Sequence, residues 1–304
     1  MELILDKSSI IPAECVATIG FFDGVHAGHQ YLIRLVQEVA AAKALKSALV
    51  SFPIQPRQVV DADYRPDLLT TQEEKIALLA ETGVDYCLML QFTKEMSQLT
   101  AKEFMEQVLK ERFRVRCLVI GYDHRFGYDR LEGFDDYVRY GNEIGIEVVR
   151  AKALTEESHK GELLYTPISS SLIRQLLHKG ELQEANRCLG YDYFIEGTVV
   201  GGAQIGRTIG FPTANVKPDD PNKLIPADGV YAVWVTVDNE RYMGMLSIGL
   251  RPTFNNGNHR TIEVNILHFS ADIYKKNIRV TFVKRTRPEY KYDKVEDLIA
   301  RLHQ

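Results

Sequence analysis

Hydrophobic runs long enough to span a membrane are missing from this 304-residue sequence. None reaches the ~18 residues that a spanning helix needs. The opening Met-Glu-Leu-Ile-Leu-Asp-Lys has neither the basic n-region nor the apolar stretch of a secretory signal. Cysteine is scarce. The four residues, at 15, 87, 117 and 188, are too far apart in sequence for a zinc knuckle or a redox pair. Each lies in an apolar context, as expected of reduced, buried thiols in a cytoplasmic protein. Charge of one sign is not in excess either: 37 Lys+Arg face 41 Asp+Glu, a net −4 with His neutral. No overall basic field therefore favours extended nucleic-acid binding. The expectation is a soluble protein with small-molecule partners, no nucleic acid, no membrane and room for a weak homo-oligomer. Core-forming residues are plentiful, at 45% hydrophobic and 10% aromatic. That composition excludes disorder, and the length suits two domains.

The first half alternates apolar strands with amphipathic helices. Strands are expected at 16–22, 47–52, 86–90, 117–121 and 147–151, with helices at 28–45, 72–81, 101–112 and 134–144 between them. Repetition at about thirty residues per unit predicts a Rossmann-like α/β domain with a parallel sheet and helices on both faces. Ligands of such sheets bind beyond the carboxyl ends of the strands. Attention therefore falls on 20–29, 52–57, Phe92 and 121–127. Residues 168–189 read as two short helices broken at Gly180. Past Tyr193 strand signals crowd together, at 194–200, 229–237, 242–248, 261–267 and 278–284. Asp238-Asn239 and Asn255-Asn256-Gly257 supply turns. A small antiparallel barrel or sandwich follows, ending in a helix at 295–303. The predicted domains are 1–185 and 186–304.

One segment stands out for chemistry: Gly20-Phe21-Phe22-Asp23-Gly24-Val25-His26-Ala27-Gly28-His29. It follows a strand and opens a helix. Three glycines let the backbone turn tightly and approach a ligand, and the helix start offers free N–H groups and a positive dipole end. His26 and His29, one turn apart, can face the same phosphate. The decapeptide resembles the His-x-Gly-His signature of nucleotidylyltransferases. With its Phe-Asp-Gly it is similar to the adenylyltransferase half of bacterial bifunctional riboflavin kinase/FMN adenylyltransferases. Gly121-Tyr122-Asp123-His124-Arg125-Phe126-Gly127 resembles that family's Gly-x-(Asp/Asn)-Phe-x-Phe-Gly loop. Ser169-Ser170-Ser171-Leu172-Ile173-Arg174 resembles its Ser-Ser-Thr-x-x-Arg motif, and Leu69-Thr70-Thr71 and Glu74-Lys75 fall in order. Taken alone, the serines would cap a helix; with Arg174 they also suit a triphosphate clamp. This sequence departs from the pattern at Gln55, where the family usually has His, at His124, where it has an aromatic, and at Ser171, which keeps the hydroxyl of the commoner Thr.

A second set of motifs lies downstream. Gly201 to Thr208 is a near miss to a phosphate-binding P-loop, with Arg207-Thr208 where Lys and a hydroxyl residue are required. A P-loop must open a helix, and Gly210 and Pro212 block one here. A glycine-rich flap closing over a nucleotide fits better. Pro212-Thr213-Ala214-Asn215 resembles the Pro-Thr-Ala-Asn motif of riboflavin kinases, which implies that Thr213 and Asn215 hold magnesium-ATP. Both offer oxygen, as a hard cation requires. Ser247–Phe254 resembles Asn-Ile-Gly-x-x-Pro-Thr-Phe with Ser247 for Asn. Glu263-Val264-Asn265-Ile266-Leu267 resembles Glu-Val-His-x-Leu with Asn265 for His, and Arg287-Pro288-Glu289 matches a flavin-site motif. The resemblance makes Glu263 the catalytic base. On an alternating strand Glu263 shares its face with Asn265.

The resemblance implies two phosphate chemistries: riboflavin to FMN in the second half, then FMN to FAD in the first. ATP, riboflavin, FMN and FAD would be substrates and products, and Mg²⁺ the cofactor. His26, His29 and Glu263 are the implied catalytic residues. Gly20, Phe22, Asp23, Gly24, Gly28, Asp123, Arg125, Ser170, Ser171, Arg174, Gly206, Gly210, Pro212 and Arg287 are the implied ATP and flavin contacts. Two alternatives stay open: a nucleotidylyltransferase for another small substrate with a regulatory flavin-binding barrel, and a non-enzymatic flavin binder.

Overall fold

The computed structural model describes residues 1–5, 13–122, 124–128, 130–152, 155–157, 163–202, 211–252 and 258–290, without side chains at 155–157, 163–166, 250–252 and 258–259. The expected terminal helix at 295–303 lies outside them. The chain divides into two compact units, Met1–Ser170 and Ser171–Gln304.

Short, fully apolar runs build the first unit. The strands β1 (Glu2–Leu5), β2 (Cys15–Ile19), β3 (Lys46–Ser51), β4 (Tyr86–Met89), β5 (Val115–Ile120) and β6 (Glu147–Arg150) form one parallel sheet in the order β1-β4-β3-β2-β5-β6. Every residue of β2 is buried, as a central strand covered on both faces must be. Its alternate side chains feed two cores. Cys15, Ala17 and Ile19 pack with the helical stretch Phe104–Arg112 and with α5 (Phe134–Ile144); Val16 packs with Val36 and Ala40 of α1 (Ala27–Ala42). Leu79 of α3 (Gln72–Glu81) joins a third cluster with Ile33 and Leu49. The chain moves from β2 through β3 to β4 on one side, then returns to place β5 on the other side of β2. That reversal opens a crevice at the carboxyl ends of β2 and β5.

The expected helices at 72–81 and 134–144 are found at those bounds. Thr71 and Glu74 form a capping box on the first. The expected helix at 101–112 begins as the α-helical turn α4 (Ala101–Glu103) and continues with π-type hydrogen bonding over Phe104–Arg112. The periodicity did not reveal β1, the short α2 (Pro56–Val60), or the hairpin of β7 (Thr155–Glu157) and β8 (Leu163–Pro167).

The second unit carries α6 (Ser170–Lys179) from its second residue, then α7 (Leu182–Leu189). The boundary read from the sequence, near 185, lies further along, in α7. A closed antiparallel barrel follows: β9 (Phe194–Val200), β10 (Ala214–Pro218), β11 (Gly229–Val237), β12 (Glu240–Pro252), β13 (Asn258–Ile266) and β14 (Asn277–Arg287), in the order β10-β13-β12-β11-β14-β9. Closure leaves no open edge. Tyr231, Leu246, Val264 and Phe282 fill the interior with almost no exposure. Asp238 and Asn239 take φ +50° and +68°, the backbone that a two-residue hairpin between β11 and β12 requires. The strand β10 was not expected, and β12–β14 run longer than the sequence suggested.

Candidate functional site

Two separate sets of candidate residues occur, one in each unit. In the first, the segment between β2 and α1 sits at the crevice by construction. Phe22, Gly24 and Val25 have φ of +56°, +81° and +37°, which is costly for a bulky and a β-branched residue. Packing holds them there: Phe22 and Val25 are buried in the cluster with Ile33, Leu49 and Leu79. Polar bonds complete the hold. The Asp23 carboxylate accepts from the Leu69 and Thr70 amides at 3.1 and 3.0 Å and from the Thr70 hydroxyl at 3.3 Å. Gly24 N–H donates back to Thr70 Oγ1 at 3.1 Å, and the Ser170 hydroxyl donates to the Asp23 carbonyl at 2.9 Å. Asp23, expected as a ligand contact, also braces this loop.

The two histidines do come together. His26 caps α1, its Nδ1 accepting from the His29 amide at 3.3 Å, and the rings stack with centroids 3.6 Å apart. A Cβ at Gly28 would press on the His26 ring at 3.1 Å and on the Ile168 carbonyl at 3.3 Å, so the close approach of the helix start favours glycine. Burial drives the His29 pKa well below its usual value, with His26, His124 and Lys75 adding to the effect, so His29 is neutral at pH 7. Its Nδ1 is buried and has no hydrogen-bond partner among the described residues.

Below this loop lies a cation that the motif comparison did not single out as a site residue. Lys75 is buried on α3; its Nζ donates to the Phe52 carbonyl at 2.7 Å and sits 4.0 Å from the Phe21 ring centroid. Burial lowers its pKa to about 8, opposed by Asp23 and Cys87. Gly20, at the end of β2, donates to the Val50 carbonyl at 3.0 Å. Arg125 is exposed and reaches the Arg130 carbonyl at 3.4 Å. Asp123 lies outside the described residues. Ser171 and Arg174 ride on α6 within the second unit, Arg174 one turn beyond Ser170.

In the second unit the candidate residues line the outer face of the barrel. Register puts Asn215 of β10 opposite Glu263 of β13, Glu263 opposite Ser247 of β12, Ser247 opposite Val230 of β11, and Val230 opposite Arg287 of β14. Glu263 and Arg287 therefore share a row but stand three strands apart around the closed barrel, on opposite sides of it. Thr213 does reach Glu263: its hydroxyl donates to Glu263 Oε2 at 3.3 Å. Asn265, buried at 8% exposure, donates from Nδ2 to the carbonyl of the exposed Pro212 at 2.8 Å. Gly202 lies so close to the Asn215 carboxamide that a Cβ would fall on it. Beside this corner opens a cavity of about 770 Å³ lined by Gly201, Gly202, Pro212–Asn215 and the 269–274 loop. That loop, Phe269-Ser270-Ala271-Asp272-Ile273-Tyr274, was not anticipated: short, irregular loops carry no periodicity. Gly206 and Gly210 lie outside the described residues.

Thr213, Asn215 and Glu263 present only oxygen ligands of the kind a hard cation takes. Among the described residues no cluster of three His, Cys, Asp or Glu forms a dedicated cage. The oxygen donor set fits magnesium, which is held by a few protein oxygens together with substrate phosphates.

A family model described as FAD synthetase matches residues 8–162, and one described as riboflavin kinase matches residues 189–304. The chain is 38% identical over 289 residues to the bifunctional riboflavin kinase/FMN adenylyltransferase of Listeria monocytogenes, covering 94% of this chain and 88% of that one. It is 37% identical over 306 residues to the Escherichia coli protein of the same name, covering 99% and 95%. A crystal structure of a macrolide-efflux protein from Streptococcus pneumoniae matches with a TM-score of 0.87 at 33% identity, over 99% of this chain and 96% of that one.

Proposed function

The chain belongs to the family of bifunctional riboflavin kinase/FMN adenylyltransferases, and from that premise we propose how its residues divide the work. The enzyme phosphorylates riboflavin to FMN and then adenylylates FMN to FAD, using ATP in both steps.

For phosphorylation, the riboflavin 5′-hydroxyl attacks the γ-phosphate of ATP, and FMN and ADP leave. Glu263 takes the hydroxyl proton as the new O–P bond forms. Thr213 and Asn215 hold magnesium, which when bound offsets charge developing on the transferred phosphoryl group. The adjoining cavity, walled on one side by the 269–274 loop, has room for the nucleotide. The carrying observation is that a carboxylate and two neutral oxygen donors meet at one corner: Thr213 bonds Glu263 at 3.3 Å, and Asn215 faces Glu263 in register.

For adenylylation, the FMN phosphate attacks the α-phosphate of ATP and pyrophosphate leaves. That nucleophile is already anionic, so no base is needed. Catalysis consists of positioning and charge stabilisation by His26, His29, the start of α1, Ser170, Ser171 and Arg174. A neutral His29 donates through an N–H, and an arriving polyphosphate would raise its pKa. We keep 1–185 for adenylylation and 186–304 for phosphorylation; the gap between the two family matches supports a division in that stretch. A cytoplasmic location agrees with four buried cysteines, none in a disulfide.

Two other readings are weaker. A nucleotidylyltransferase with a regulatory barrel has no use for the Thr213–Glu263 pair. Efflux, the role named for the Streptococcus pneumoniae protein, finds no support: no helix among the described residues is long and apolar enough to cross a membrane, and side chains fill the barrel. The deciding experiment is incubation with riboflavin and Mg-ATP followed by separation of the products. FMN appearing first and FAD second supports the assignment. Absence of turnover with an intact fold refutes it.

A further inference from the structure

We propose that Asn265 is a positioning residue for riboflavin phosphorylation, clasping the Pro212 carbonyl so that Thr213 is held against Glu263. The inference rests on the kinase reading above. It starts from a break in the sheet. The ladder between β10 and β13 pairs Asn215 with Glu263 and Ala214 with Val264. Continued one step, it would pair Thr213 with Asn265; one more step brings Pro212, which has no N–H to donate. Backbone pairing cannot run on through Pro212. A side chain replaces it: Asn265 Nδ2 donates to the Pro212 carbonyl at 2.8 Å.

The consequence falls on the next residue. Thr213 is exposed and precedes the strand, so it is anchored on one side by the ladder starting at Ala214 and on the other by this clasp. Its hydroxyl meets Glu263 Oε2 at 3.3 Å. Glu263 and Asn265 are alternate residues of one strand and project from the same face. One strand therefore supplies both the base and the hold on the cation-binding segment. The Thr213 hydroxyl donates its proton to Glu263, which turns its lone pairs outward, as a magnesium ligand requires. Asn265 is not in contact with the reacting atoms; it acts through Pro212 and Thr213.

Three variants test this: Asn265→Asp, of similar size but unable to donate; Asn265→Ala; and Asn265→His, whose Nδ1–H falls near the lost amide N–H. The readouts are FMN formation against riboflavin and against Mg²⁺, with the fluorescence of Trp234, the sole tryptophan and a β11 residue, reporting barrel integrity. Loss of an outer-shell partner of a metal ligand predicts a fall of roughly 10–100-fold in kcat for Asn265→Asp and Asn265→Ala. The Mg²⁺ requirement rises, riboflavin KM barely moves, and Asn265→His recovers most of the rate. Unchanged kcat and Mg²⁺ dependence in Asn265→Ala would overturn the proposal. So would a loss that follows the Trp234 signal and is not rescued by His. If the wild-type chain makes no FMN, the kinase reading itself fails. Hydrogen exchange at the Thr213 and Ala214 amides then still decides the clasp: faster exchange in Asn265→Ala retains it, and equal exchange removes it.

Discussion

The two candidate sites solve the handling of a nucleotide in opposite ways. In the first unit the proposed site sits on a loop whose side chains are buried. Phe22, Asp23, Val25 and His26 are all at or below 5% exposure, and loop, helix start and neighbouring segment are bonded together. In the barrel the proposed site sits on an exposed face. Thr213 and Pro212 are exposed and Glu263 is half-buried, and strand register does the positioning. The difference follows from architecture. A parallel sheet offers only the loops at its strand ends, which must be stiffened. An antiparallel barrel offers whole strand faces, on which alternate residues are already fixed. It also follows from the reactions, because a phosphate nucleophile needs no base whereas an alcohol does.

Separating the two activities is the strongest way to break the comparison. Glu263→Gln should lower FMN formation by roughly 10²–10⁴-fold, the usual worth of a general base, while supplied FMN is still converted to FAD. Equal loss of both activities in a folded variant would sink the division of labour. The reciprocal change is His29→Ala, expected to stop the pathway at FMN with adenylylation down by roughly 10²–10³-fold. Unchanged FAD output would refute a role for His29.

Smaller effects sharpen the contrast in rigidity. Asp23→Ala leaves the Leu69 and Thr70 amides without their acceptor, at about 1–3 kcal/mol for each buried donor. Thermal unfolding should show this as a lower Tm for the first unit, with the barrel transition unmoved. No Tm change would mean that the loop is held by packing alone. Lys75 gives a pH test. Its pKa falls from 10.5 to about 8 on folding, which corresponds to roughly 3 kcal/mol of burial cost at neutral pH. The unfolded chain keeps this proton up to pH 10.5 while the folded chain releases it near 8. The unfolded state thus binds more protons in that window, and this residue's contribution to stability rises with pH across it. Lys75→Met should lack that contribution, so the variant's stability relative to wild type declines from pH 8 to 10.5. A difference that is flat with pH would show that Lys75 keeps its ordinary pKa.

Legibility from sequence followed the range of the interactions. Helices 72–81 and 134–144 and strands 194–200 and 229–237 were located to the residue, since periodicity and caps are local. The four-residue edge strand β1 escaped because an edge needs little apolar signal, and β10 because Lys217 and Pro218 mask a five-residue strand. His26 and His29 were legible from one helical turn. The bonds from Asp23 to the 69–70 segment, from Lys75 to Phe52 and from Asn265 to Pro212 were not. Each joins residues tens of positions apart, and neither composition nor spacing encodes a contact of that kind.

The left-handed stretch at Phe22, Gly24 and Val25 has a calorimetric consequence. Its conformational cost is met when the chain folds, with Phe22 and Val25 locked in the core, so little chain ordering is left for the moment of encounter. A nucleotide entering the first unit should therefore bind with a modest entropy penalty and a small heat-capacity change, as a key enters a lock already cut.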